Sequence, residues 1–119
     1  MRDRYGNPRI AFFQPRGDVF VSLGVDEYAL SALRAVCDVY GVPPSGVCSK
    51  SRRYEVAVPR HVWRMFVVMH PMIGQIAAAA ITNCDGGTLQ SSLRAAAALY
   101  DTDPYHRDAM RRVFVALFG

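Results

Sequence analysis

The chain has 119 residues, 51% of them hydrophobic, and a net charge of +4. That length suits one domain with a core and leaves little room for two, and the apolar content excludes wholesale disorder. The charge is concentrated: Lys50, Arg52, Arg53, Arg60 and Arg64 set against Glu55 account for all of it, and elsewhere cations and acids balance.

Residues 1–24 hold IAFF and VFVSL on either side of Pro15-Arg16-Gly17-Asp18, the pattern of an N-terminal arm or short β-hairpin. A helical domain is expected over residues 25–119. Its first helix has Asp26 as N-cap and Ala29, Leu30, Leu33, Cys37 and Tyr40 at helical spacing, with Gly41 closing it. Val42-Pro43-Pro44-Ser45-Gly46 cannot continue that helix, and the basic segment Ser49 to Arg64 forms the next connection. Pro59 stands where the first residue of a second helix is expected, followed by Val62, Trp63, Phe66, Val67 and His70 before Pro71 ends it. Trp63 reads as a core anchor.

A short small-residue helix, Ile73 to Ala80, leads to the polar turn Thr82-Asn83-Cys84-Asp85-Gly86-Gly87. Thr88 to Tyr100 is the next predicted helix, with Leu89, Leu93, Ala96, Ala97 and Tyr100 inward. Asp103 caps the last, which Pro104 begins and whose apolar face is Met110, Val113, Phe114, Leu117 and Phe118. The expectation is an all-α, five-helix domain containing a helix-turn-helix, the long helix bearing Gln90, Ser91 and Arg94.

Several function classes find no support in these residues. Cys37, Cys48 and Cys84 are odd in number and far apart, a pattern of reduced thiols in a cytosol, with Cys37 as a small core residue. No CxxC or HxxxH pair exists, and His61, His70 and His106 are scattered, so no metal is expected. The apolar run Val67 to Ile81 is broken by His70, Pro71 and Gln75 and cannot span a bilayer, so no membrane partner is expected. Gly41 and Gly46 have the glycine spacing of a phosphate loop, but Val47 stands where its lysine must be; no nucleotide or other cofactor is expected. No Ser-His-Asp, Cys-His or paired-carboxylate spacing points to an enzyme. A neutral body with one basic segment fits either a face for a polyanion or a solvated loop that aids solubility.

Val39-Tyr40-Gly41-Val42, Ser49-Lys50-Ser51-Arg52-Arg53 and Val58-Pro59-Arg60-His61 stand in an order and spacing that resembles the C-terminal DNA-binding domain, domain IV, of the bacterial replication initiator DnaA. The likeness spans Val36 to Tyr100 and extends to the last helix, opened by Thr102-Asp103-Pro104; its specific part is the basic loop with Pro59-Arg60. It implies a Trp-repressor-like helix-turn-helix fold. Residue by residue it implies that Arg52 enters a minor groove and that Lys50, Arg53, Arg60 and His61 lie near or on phosphates. In the recognition turn Asp85, Thr88 and Leu89 match, while the family's arginine falls on Cys84 and its histidine and first threonine on Gly86 and Gly87. A target other than the initiator's own box follows from those departures.

The resemblance therefore points to a stand-alone transcription regulator, similar to the DnaA-like activators of gene transfer agent clusters in alphaproteobacteria. Such a protein is expected in the cytoplasm, associated with the nucleoid. The helix from Thr88 would lie in a major groove, offering Thr88, Gln90, Ser91 and Arg94 to base edges or phosphates. Gly86 and Gly87 would let backbone N–H groups approach a phosphate, or merely loosen the turn. Asp85 and Thr88 serve equally well as caps. The rival class is an interaction module that binds RNA polymerase or a second regulator through the apolar N-terminal segment, without specific DNA recognition.

Overall fold

The computed structural model describes residues 23–119, and these form six helices and no strand. The arm or hairpin expected at 1–24 lies, except for Leu23 and Gly24, outside the described residues. The helices are α1 (Val25–Tyr40), α2 (Pro44–Val47), α3 (Tyr54–Val68), α4 (Gln75–Ile81), α5 (Gly86–Thr102) and α6 (Pro104–Phe118). The sixth, unforeseen element is α2, a single turn inside the Pro-rich connection. Pro44 opens it, since a missing N–H costs nothing at a first helical position.

Burial decides the layout. Helix α3 is the central element: it packs on α1 and α5, while α6 closes over both of those and α4 lies against α3 and α5. Tyr28, Ala32, Val36, Val62, Phe66, Leu93, Ala96, Tyr100, Met110 and Val113 meet in the core. Removing each large side chain from water contributes about 1.5–3 kcal/mol. Trp63 is buried as expected, and its Nε1–H donates to Ala29 O at 3.0 Å, which ties α3 to α1 while satisfying the indole donor. Cys37 is a buried core thiol, and all three cysteines are free.

Local signals account for most helix ends. Gly41 takes a left-handed conformation, φ 67°, and its N–H returns to Cys37 O at 2.9 Å, the stop predicted for α1. Asp103 Oδ1 accepts from Tyr105 N at 2.9 Å and caps α6. The starts expected for α1 and α3 need correction, and α4 begins at Gln75 rather than Ile73. The N-cap of α1 is Gly24, and Asp26 lies inside the first turn, where its carboxylate faces the positive end of the helix dipole. Pro59 does not open α3; the helix starts five residues earlier at Tyr54, with Ala57 N–H donating to Arg53 O at 2.8 Å. At Pro59 the helix forgoes only the bond to the Glu55 carbonyl, close to an end where the ladder is incomplete anyway, and it gains the burial of Val58 and Pro59. No described helix is long and apolar enough to cross a membrane.

Candidate nucleic-acid interface

The basic segment divides into two kinds of residue. Lys50, Arg52 and Arg53 are exposed in the loop before α3. Lys50 Nζ donates to Asn83 O at 3.0 Å, and Arg53 Nε lies 3.3 Å from Glu55 Oε1, an ion pair in full contact with water. Arg52 forms no hydrogen bond or ion pair among the described residues and points its charge into solvent.

Arg60 behaves differently. Only 8% exposed, its guanidinium donates from Nε to Val47 O at 2.7 Å, from Nη1 to Ser51 O at 2.8 Å and from Nη2 to Gly46 O at 3.2 Å. The rigid fork of an arginine thus gathers the carbonyls at both ends of the 47–51 loop. Ser49 Oγ donates to Gly46 O and accepts from Ser51 N, which completes the turn. Arg60, expected near or on phosphates, is buried and shapes the loop that presents Lys50 and Arg52.

Arg64 is the second buried cation, 5% exposed. Its Nη1 donates to Ser92 Oγ at 2.8 Å and its Nη2 to Thr82 O at 3.1 Å, linking α3 to the turn after α4 and to α5; Nε has no partner among the described residues. Burial lowers the pKa of both arginines from a very high starting value, so both remain charged and add to the positive potential of this face.

His61 Nδ1 sits 2.8 Å from the same Ser92 Oγ. Ser92 Oγ, which accepts from Arg64 Nη1, thus meets both side chains of α3 and joins them to α5. Burial, together with Arg64 and Arg60 close by, pushes the His61 pKa down. His61 is therefore a link between α3 and α5 in this arrangement, not an added cation.

In the turn itself Asn83 is the one non-glycine with positive φ, 59°, among the described residues, a conformation asparagine tolerates. Asp85 Oδ1 accepts from Thr88 N at 2.7 Å and caps α5, which starts at Gly86 rather than at Thr88. The hydrogen bonds from the Thr88 N–H and hydroxyl hold the Asp85 carboxyl below its usual pKa, and Lys50 adds to the effect. Of the predicted readers, Thr88, Ser91 and Arg94 are exposed and Gln90 is half-buried, while Leu89, Ser92 and Leu93 face the core. Arg94 Nη2 lies 3.5 Å from Ser91 Oγ. Gly87 is exposed at the helix start, as is Gly86.

Two stretches distant in sequence thus come together: the loop 49–53, and the turn 82–85 with the first turns of α5 that follow it. The chemistry available there is cationic and hydrogen-bonding. Among the described residues no group of three or more His, Cys, Asp or Glu side chains is placed to hold a metal. Sequence reasoning missed the structural use of Arg60 and Arg64. The signal was present: Arg60, Trp63, Arg64 and Val67 are three and four residues apart, so both arginines share the face of the tryptophan that anchors the core. Compared with protein-family models, curated proteins and solved structures, the chain matches none of them.

Proposed function

We propose that this protein is a duplex-DNA-binding transcription regulator, an activator at a few promoters. Its basic loop meets phosphates and a minor groove through Lys50, Arg52 and Arg53. Helices α4 and α5 act as a helix-turn-helix whose second member enters a major groove with Thr88, Gln90, Ser91 and Arg94. The observation that carries this reading is the Lys50–Asn83 contact: it sets the exposed cations beside the turn and the start of α5, so that phosphate grip and base readout can act together. Arg60 supports the same reading, because a loop already fixed in shape loses less conformational freedom on binding.

The test separates grip from readout. On the site recovered by genome-wide occupancy, Arg94→Ala is expected to cost about 1–3 kcal/mol, with little change on random duplex. Equal losses on both would remove α5 from the major groove. A second reading, an interaction module for polymerase or another regulator, draws support from Met72 and Ile76, large apolar side chains left 78% and 90% exposed beside and within α4.

A further inference from the structure

Where α1 ends and α3 and α6 begin there is a cleft of about 200 Å³, lined by Tyr40, Tyr54, Glu55, Pro59, Tyr105 and His106 among others. Its floor is His106, 4% exposed, with Nδ1 3.2 Å from the Tyr40 hydroxyl and Nε2 2.8 Å from the Tyr54 hydroxyl. An imidazole engaged at both nitrogens fixes the two phenols that hold it. Tyr40 stacks on the imidazole at 5.9 Å and 24°. Tyr54 and Tyr105 meet it edge-on, at 6.0 Å and 65° and at 5.0 Å and 81°. The result is an aromatic floor with two walls that stand across it. The wall residues are 63% and 62% exposed, so much of each side chain is open to solvent.

Charge around the cleft favours one sign. Glu55 lines it, and Asp103 Oδ2 lies 3.9 Å from His106 Nε2. Two arginines stand beside acids here, Arg53 by Glu55 at 3.3 Å and Arg112 by Asp108 at 3.0 Å, so Glu55, Asp103 and Asp108 outnumber these cations by one. Ring faces carry the negative side of the aromatic quadrupole, so rings and carboxylates together disfavour an anion and attract a cation. The volume is below the roughly 300–1,000 Å³ of sites for drug-sized ligands, which limits the occupant to a single head group.

We propose that this cleft binds the head group of a soft organic cation, a quaternary ammonium or a guanidinium, through cation–π contacts with Tyr54 and Tyr105. Two sources carry such a group: a free quaternary ammonium compound, and an arginine side chain of a partner protein. The site is separate from the DNA-binding reading and stands or falls without it.

The experiment follows the tyrosine ring resonances of the full chain by NMR while choline, N-acetyl-arginine amide or dimethylbutanol, the uncharged carbon isostere of choline, is added at constant ionic strength. Saturable shifts at Tyr54 and Tyr105 with a cation, and a response to the isostere at least about tenfold weaker, are expected. Whichever cation binds more tightly identifies the source. Tyr105→Leu should weaken binding about two- to fivefold, the weight of one exposed cation–π contact, while Tyr105→Phe keeps it. A helical circular dichroism spectrum equal to the wild type establishes that the variants are folded. The assignment is overturned by the absence of a saturable shift with both cations, by an equal response to the isostere, or by unchanged affinity in Tyr105→Leu.

Discussion

Lys50, Arg52 and Arg53 lie in water, whereas Arg60 and Arg64, a few residues further along the same run of charge, are almost wholly enclosed. The difference comes from the helix. Before Tyr54 the backbone is a loop whose side chains radiate outward. From Tyr54 on, each position has a fixed face, and 60 and 64 fall on the face that meets the core. There the guanidinium groups find carbonyl and hydroxyl oxygens instead of carboxylates. A net charge summed over a segment therefore overstates what a partner can touch. In the proposed reading the exposed cations supply the contact, and the buried ones supply the shape and a share of the field.

The sharpest way to break this division is Arg60→Ala. It strips hydrogen bonds from the carbonyls of Gly46, Val47 and Ser51 and should cost about 2–4 kcal/mol of stability, read by urea denaturation. If Arg60 instead served as a phosphate contact, stability would stay within about 0.5 kcal/mol of wild type and only DNA affinity would fall.

Acid should act on the enclosed half. The His61 and His70 pKa values are both lowered, first of all by burial, so the unfolded chain takes up protons that the folded one refuses. The stability these groups contribute is complete above the unfolded histidine value of about 6.5 and is lost as pH falls through their folded values. Thermal melts from pH 7.5 to 5 should show it, and His61→Gln should flatten part of the slope. A slope identical in that variant would assign the effect to His70 alone.

A smaller effect probes the start of α5. A Cβ on Gly87 would meet only Asp85 Oδ1, at an ordinary 3.5 Å, and one on Gly86 would meet nothing within 4 Å. Gly87→Ala is therefore expected to leave stability unchanged or raise it by a few tenths of a kcal/mol, since alanine loses less backbone freedom. A drop in DNA affinity without a drop in stability would show that the glycine is there for close approach to the duplex. A clear loss of stability would mean that the fold itself requires it.

The same contrast shows which features were legible in the sequence. The stops and caps at Gly41 and Asp103 were readable because each acts within its own few residues. Trp63 was readable because size and helical spacing agree. The start of α3 was misjudged because proline favours a first turn in general, while here the burial of Val58 and Pro59 outweighs one missing hydrogen bond. The Lys50–Asn83 and Arg64–Thr82 contacts join residues 33 and 18 apart, and the Tyr40–His106 contact spans 66. No local pattern encodes such pairings; only packing of the helices brings them together.

The central claim, that the exposed half of the basic segment grips DNA, is tested most directly by duplex affinity as a function of salt for the wild type and Arg52→Ala. A steep fall of log affinity with log salt is predicted, with a slope smaller by about 0.9 in the variant and with stability within about 0.5 kcal/mol of the wild type. Affinity that stays flat between low and physiological salt, or a slope that Arg52→Ala leaves unchanged, would contradict it.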